Sequence, residues 1–451
     1  MTHRMWTLLA TAAAASLVAG AALADDQATP PPAAPDATAP AAAPAAAAPA
    51  AAPAAAPTPP PAPLSVDGWI KSIKLGGHLE VGATMNPMTP DNQINFGHLF
   101  TDKANQIVLN QAAITLERDL DPKATWLDVG FKFQAMYGVD SQFTQFLGEL
   151  PNQPANNRNQ FDIVEANVLA HLPILTPGGI DVKAGQFSTP LGNEVIDPTG
   201  NFFYSKSYIF NFGIPLKHTG IMFTTHVNPL LDIYTGYTTG VNTSIGAPGG
   251  GYNADQPHFL GGFGLNFAKV TVLALTHIGP EDPASSPFTG IHSKLRYLND
   301  VVITWKPDAK LTSTTELNYI RDDGYKATGG GVSEYLAYPL SSIVTAGLRA
   351  EVWRDNNGFF VAAFPNNSDY VNAEYGRPNS SYNFGPATYS EFTLGLNIKP
   401  SKLPKEIDGL TVRPEIRYDR TLVGAAPFGD PPGTSRDQVT IGLDVVVPFN
   451  F

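Results

Sequence analysis

The chain contains no cysteine among its 451 residues, few charged residues and no long apolar run. The missing cysteines exclude disulfides, thiol catalysis, Cys-ligated zinc and iron–sulfur clusters, and they suit a protein that crosses an oxidising periplasm unfolded. Charged residues make up only 15% of the chain, against about 25% in an average protein. A net charge of −12 disfavours nucleic-acid partners. No apolar run reaches the about 20 residues that a membrane-spanning helix needs, so the 43% of hydrophobic residues must be buried in another way.

The first residues have the features of a secretory signal peptide. Arg4 precedes an apolar stretch at 8–22, and residues 22–24 offer an A-x-A cleavage site. We expect cleavage after residue 24 and export across the inner membrane of a Gram-negative-type envelope, with a buried N-terminal helix as the alternative. No cysteine follows the site, so a lipoprotein anchor is excluded.

Residues 25–63 are almost entirely Ala and Pro, and they hold 13 of the chain's 41 prolines. Proline at this density prevents a helix and predicts a disordered periplasmic spacer, on the order of 100 Å long if fully extended. A spacer that contacts the cell wall and a low-complexity leader without a function both remain open.

From about residue 64 onward, polar and apolar residues alternate, which predicts β-strands with one polar and one apolar face. In 126–138, for example, Val129, Phe131 and Phe133 share one face, whereas Asp128 and Lys132 share the other. The predicted strands are 72–84, 105–118, 126–138, 161–172, 180–192, 217–227, 230–240, 258–267, 270–279, 293–305, 311–321, 332–340, 343–354, 389–399, 410–420 and 438–449. The weak segment 332–340 leaves the count open between fourteen and sixteen, and up to eighteen strands are allowed.

The connections alternate between short turns and long Gly/Asn/Pro-rich loops. This parity predicts an all-β, transmembrane antiparallel β-barrel at residues 64–451, with about 16 strands, short periplasmic turns and long extracellular loops. In that arrangement Trp126, Trp305 and Phe449 lie at the periplasmic rim, and Tyr137, Tyr237, Tyr319 and Tyr418 lie towards the opposite rim, as two aromatic girdles. The terminal Phe451 resembles the signal that the outer-membrane assembly machinery reads.

With the apolar face towards the lipid bilayer, the charged face lines the lumen, because each Lys or Arg facing lipid near the midplane would cost about 2–4 kcal/mol. Acids outnumber bases on that face, which predicts a water-filled channel for small solutes and ions with a mild cation preference. The predicted pore-lining residues are Lys74, Glu80, Glu117, Asp128, Lys132, Glu165, Asp181, Lys183, Asp232, Lys294, Arg296, Asp300, Glu316, Arg349, Glu351, Glu391, Arg413, Glu415, Arg417 and Asp444.

The third long loop, residues 193–216, combines charged residues with many aromatics. By analogy with other sixteen-stranded barrels, it is a candidate constriction inside the pore, with Glu194, Asp197 and Lys206 as its charged groups. Packing of its aromatics against the inner wall is the alternative.

Several segments resemble the OmpL-like β-barrel porin family. They are KAGQFSTPLG at 183–192 with Glu194 and Asp197-Pro198 after it, FGIPLKHTG at 212–220, YPL at 338–340 and GLRAE at 347–351. The resemblance covers the chain from about residue 64 to its end. It implies passive diffusion of small solutes across the outer membrane, and it brings no agreed substrate or ligand residues. Sixteen-stranded porins are commonly trimers, so a homotrimer is expected by analogy.

No catalytic motif, cofactor fingerprint or metal-ligand spacing occurs, so we expect a protein that is not an enzyme and has no cofactor or metal. Lone histidines such as His78, His171 and His226 are expected to be polar groups of the lumen. Two alternatives to a porin remain: an outer-membrane anchor whose spacer contacts the cell wall, and a barrel-type lipid hydrolase.

Overall fold

The computed structural model describes residues 65–144, 158–242, 256–282, 290–361, 385–430 and 433–451. The predicted signal peptide and the Ala/Pro spacer lie outside these residues.

A pleated strand turns successive side chains to opposite faces, which is why alternating polarity predicts strands. All sixteen predicted segments form strands in the described part of the chain, and this confirms the all-β fold. They are β1 (Lys74–Met85), β2 (Gln106–Arg118), β3 (Asp128–Gly138), β4 (Gln160–Leu172), β5 (Ile180–Ser188), β6 (Lys217–Asn228), β7 (Leu231–Thr238), β8 (His258–Asn266), β9 (Val270–Gly279), β10 (Arg296–Trp305), β11 (Thr312–Asp322), β12 (Ala327–Pro339), β13 (Val344–Asp355), β14 (Ala387–Ile398), β15 (Thr411–Val423) and β16 (Asp437–Asn450).

The segment that left the strand count open forms β12, which begins at Ala327 instead of residue 332. Gly329, Gly330 and Gly331 account for the difference. They have no side chains that could show the alternation, yet their backbones pair with both β11 and β13.

The sheet closes because its first and last strands pair. β1 and β16 run antiparallel from the Gly76–Asn450 pair to the Met85–Ile441 pair, and every other strand pairs with its neighbours in sequence. A closed barrel leaves no edge of unpaired N–H and C=O groups, which is the condition for a sheet to lie in hydrocarbon. One end, where β2 leads to β3 and β4 to β5, is called the short-turn end, and the other is called the long-loop end.

Apolar side chains cover the outer face. On β1, Leu75, Leu79 and Val81 are exposed, while His78 and Glu80 between them are buried. Exposed aromatics mark both ends of this apolar band: Trp305 ends β10 at the short-turn end, and towards the long-loop end lie Tyr137, Tyr237, Tyr319 and Tyr418.

Glu334 on β12 departs from this pattern. Its register partners Thr315 and Ala350 are on the outer face. Along β12, Glu334 lies four residues from Tyr338 and four residues from Gly330, which is the register partner of Tyr319. The hydroxyls of Ser313 and Thr315 each donate to one of its carboxylate oxygens, both at 2.6 Å. These two bonds compensate part of the cost of a carboxylate at that depth.

In the described residues, two short α-helices accompany the strands, α1 (Val66–Lys71) and α2 (Ser141–Thr144). The Ser65 hydroxyl caps α1 by accepting from the Gly68 N–H at 3.1 Å. The Trp69 indole N–H donates to the Val129 carbonyl at 2.8 Å, which places α1 beside β3 at the short-turn end. Among the residues that the structure describes, no helix has the length and apolarity to span a membrane.

Candidate functional site

The predicted pore-lining residues divide into two groups by their exposure to water. Glu80, Asp128, Glu165, Arg296, Asp300, Glu316, Arg349, Glu351, Glu391, Arg413, Glu415, Arg417 and Asp444 are buried. Lys74, Glu117, Lys132, Asp181, Lys183 and Asp232 are exposed or half-buried. Lys294 is exposed too, but it lies in the turn before β10 at the long-loop end and not on a strand.

Six members of the buried group, Glu316, Arg349, Glu351, Arg413, Glu415 and Arg417, bind a loop that enters the barrel. Residues 189–216, which connect β5 to β6 and contain the predicted constriction loop, are called L3. Its side chains Tyr208, Phe210 and Phe212 pack in one hydrophobic cluster with Leu275 and Leu298 from the inner wall. The interior therefore holds a packed core on this side, although polar residues alternate along the strands.

Wall carboxylates bind the backbone of L3. The two oxygens of Glu351 accept from the N–H groups of Tyr208 and Ile209 at 2.6 and 2.8 Å. Glu415 accepts in the same way from Tyr204 and Ser205 at 2.9 and 3.1 Å. A carboxylate that accepts two backbone N–H groups satisfies donors that a buried loop would otherwise leave unpaired.

Three wall arginines complete the attachment of L3. Arg349 contacts Glu194 of L3 at 2.7 Å and Glu391 of β14 at 2.5 Å, and it donates to the Ser205 carbonyl at 2.7 Å. Its guanidinium also lies 5.2 Å from the centre of the Phe203 ring. Because each of these charges is removed from water, each needs its partner.

Arg413 and Arg417 bind L3 through its carbonyl groups. Arg413 donates to the Pro198 and Asn201 carbonyls, both at 2.9 Å, and pairs with Glu80 at 2.8 Å. Arg417 donates to the Lys206 carbonyl at 2.5 Å. The inner faces that carry Glu316, Arg349, Glu351, Arg413, Glu415 and Arg417 are together called the loop-binding wall.

The charged residues of L3 itself differ in their surroundings. Glu194 and Lys206 are buried, and the Lys206 ammonium donates to the Val195 carbonyl at 3.0 Å. Asp197 is partly exposed near the tip of L3, 3.6 Å from the His78 ring. A cavity of about 430 Å³ lies beside this tip, lined by Asn201, Phe202 and Lys399 among others.

The opposite side of the lumen carries charges that contact water. Lys132 and Glu117 lie 3.4 Å apart with 36% and 27% of their side chains exposed, and Asp181 is 28% exposed. The inner faces of β2–β7 that carry Glu117, Lys132, Asp181, Lys183, His226 and Asp232 are called the water-exposed wall.

Asp419 belongs to the site although the predicted set omits it. Its carboxylate binds Arg417 at 2.7 Å, the Tyr208 hydroxyl at 3.0 Å and His98 at 2.9 Å. It lies two residues beyond Arg417 on the same face of β15, so the alternation alone could have indicated it.

Asp102 and Asp140 are buried carboxyl groups in loops at the long-loop end. Burial raises the pKa of Asp102 to about 6, even though the Lys103 ammonium is 2.5 Å away. Burial also raises the pKa of Asp140 to about 6, despite the amide donors of Gln111 and Asn110. Both groups therefore change their charge close to neutral pH. The described residues contain no group of three or more His, Asp or Glu side chains arranged to hold a metal ion.

Comparison with known proteins agrees with this geometry. Residues 72–449 match the family described as "Putative beta-barrel porin-2, OmpL-like". Among solved structures, the anion-selective porin from Comamonas acidovorans is 10% identical, with a TM-score of 0.50 over 84% of this chain and 99% of that one. The outer membrane channel DcaP of Acinetobacter baumannii is 13% identical, with a TM-score of 0.49 over 84% of this chain and 97% of that one. The search of curated proteins finds no match.

The family match extends over most of the chain, whereas the similarity to the Comamonas acidovorans porin, at 10% identity, shows the fold alone. The chain belongs to the OmpL-like β-barrel porin family.

Proposed function

We propose that the chain forms a water-filled channel through which small hydrophilic solutes and ions diffuse passively across the outer membrane. The observation that carries this proposal is the partial exposure of Lys132, Glu117 and Asp181 inside a closed barrel. Charged side chains inside a barrel stay ionised at low cost only where water reaches them. Family membership supports the same role.

In this proposal the pore runs along the water-exposed wall, and L3 narrows it from the opposite side. The hydrogen bonds to Glu351 and Glu415 support a fixed constriction. Of the predicted lining residues, we assign contact with solutes to Glu117, Lys132, Asp181, Lys183 and Asp232. The six members on the loop-binding wall act through the attachment of L3.

The predicted cation preference stays a prediction, and we propose that it is weak. Most of the carboxylates behind the acidic excess are buried, whereas the water-exposed wall balances Glu117, Asp181 and Asp232 against Lys132 and Lys183, with Lys74 at its rim. The reversal potential across a salt gradient measures this preference.

We propose further that residues 1–24 are removed on export and that residues 25–63 form a spacer in the periplasm. A cell-wall tether is a second candidate function, because α1 places the first described residues at the short-turn end, which faces the periplasm in barrels of this kind.

We also propose that the protein forms a homotrimer and that the assembly machinery recognises Phe451. Chemical cross-linking in membranes and deletion of Phe451 test these two points.

The decisive experiment for the channel uses the absence of native cysteine. Purified full-length protein in planar lipid bilayers should show discrete conductance steps, and a negatively charged thiol reagent should change the conductance of the Lys132→Cys variant. Val447→Cys on the outer face is the matched control and should be unaffected. Silent bilayers with folded protein would overturn the channel. Lipid hydrolysis by the same sample would favour the hydrolase instead.

A further inference from the structure

A continuous set of hydrogen bonds crosses five neighbouring strands near the short-turn end of the water-exposed wall. His171 Nδ1 of β4 lies 2.6 Å from one oxygen of Asp181 on β5, and the other Asp181 oxygen lies 3.2 Å from His226 Nε2 on β6. His226 Nδ1 lies 2.7 Å from Asp232 on β7. The second oxygen of Asp232 accepts from the Asn266 amide of β8 at 3.0 Å.

His226 occupies an unusual position in this set, because each of its ring nitrogens faces a carboxylate. Neutral imidazole has one N–H donor, so one lone pair would point at a carboxylate oxygen. The imidazolium form donates to both Asp181 and Asp232 and is attracted by both charges. Side-chain exposures of 29% for His226, 28% for Asp181 and 17% for Asp232 show that water reaches the three groups.

We propose that His226 is a specificity-determining residue that sets the ion selectivity of the short-turn mouth of the channel and makes it depend on pH. Protonated, His226 cancels one of the two carboxylate charges. Once the proton is lost, Asp181 and Asp232 act together and attract cations. This inference rests on the proposed channel function.

Other charged and titratable groups lie around His226. His171 reaches His226 only through Asp181 and is buried. Asp128, which pairs in register with His171, is neutralised by Arg118 at 2.8 Å. Lys183 is a basic residue two positions along β5 from Asp181. Tyr234, two residues along β7 from Asp232, ionises only at far higher pH.

The test compares wild type with His226→Gln, which keeps a polar side chain and removes the titratable group. The permeability ratio of K⁺ to Cl⁻, from reversal potentials, should rise about twofold in wild type between about pH 6 and pH 9, the effect of one charge about 8 Å from the ion path in water screened by about 0.1 M salt. The His226→Gln variant should show the high-pH permeability ratio of wild type at every pH in this range. His292→Gln, in an exposed loop, is the matched control and should retain the wild-type rise.

NMR of ¹⁵N-labelled histidine provides a readout that needs no conductance. A ring with two protonated nitrogens should be present at neutral pH in wild type and absent from His226→Gln. Channels whose ratio does not change with pH, or changes equally in His226→Gln, would overturn this inference while the channel function stands. A neutral His226 ring at about pH 6 would overturn it as well. Failure of every variant to conduct would instead count against the channel itself.

Discussion

The two sides of the lumen carry similar residue types with opposite consequences. On the loop-binding wall, Arg349 and Glu351 are buried and form hydrogen bonds with L3. On the water-exposed wall, Lys132 and Glu117 are partly solvated and 3.4 Å apart. A charge without water depends on its protein partner, whereas a solvated charge does not. The same alternation of polar residues therefore builds an attachment surface on one side and, as we propose, a solute path on the other.

The largest effect should follow from removing a charge on the loop-binding wall. Arg349→Met leaves Glu194 and Glu391 buried without their ion pairs to Arg349 and should lower the free energy of unfolding by about 3–5 kcal/mol. Urea denaturation of the barrel in lipid vesicles measures this. Release of L3 should also increase the single-channel conductance. An unchanged conductance together with unchanged stability would show that L3 is not held by this arginine.

The sequence predicted all sixteen strands because each has one face in contact with lipid and one in the interior, so polar and apolar residues alternate along it. It could not separate the two walls. Whether Arg349 meets water or the Ser205 carbonyl depends on the path of L3, which its aromatics decide by packing against side chains such as Leu275 that are distant in sequence. The contacts of His226 likewise depend on the registers of β5, β6 and β7, which periodicity alone does not fix.

The pH dependence of stability at Asp102 tests how far the dry region around the loop-binding wall extends. Its loop belongs to the dry side, since His98 of the same loop reaches Asp419 at 2.9 Å. Burial holds the pKa of Asp102 at about 6, above its value near 4 in an unfolded chain. The contribution of Asp102 to the free energy of unfolding is therefore fully present below about pH 4 and is lost as the pH rises through about 6. Between pH 5 and pH 8 this loss amounts to about 1.4 kcal/mol.

Urea unfolding at the two pH values tests this sign. The neutral variant Asp102→Asn should remove this part of the pH dependence and be more stable than wild type at the higher pH. If Asp102→Asn loses the same stability as wild type between the two pH values, Asp102 is hydrated, and the dry region does not extend into this loop.

The smallest effect on stability should come from the water-exposed wall. Lys132→Met breaks the 3.4 Å contact with Glu117, but water solvates the remaining carboxylate, so the free energy of unfolding should change by less than about 1 kcal/mol. Its effect on conduction should be larger than its effect on stability, because a positive charge leaves the proposed path and the preference should shift towards cations. Paired measurements of denaturation and reversal potential on Lys132→Met and Arg349→Met therefore test the comparison directly. If Lys132→Met destabilised the barrel as strongly as Arg349→Met, both walls would be equally dry, and the solute path could not run along β3.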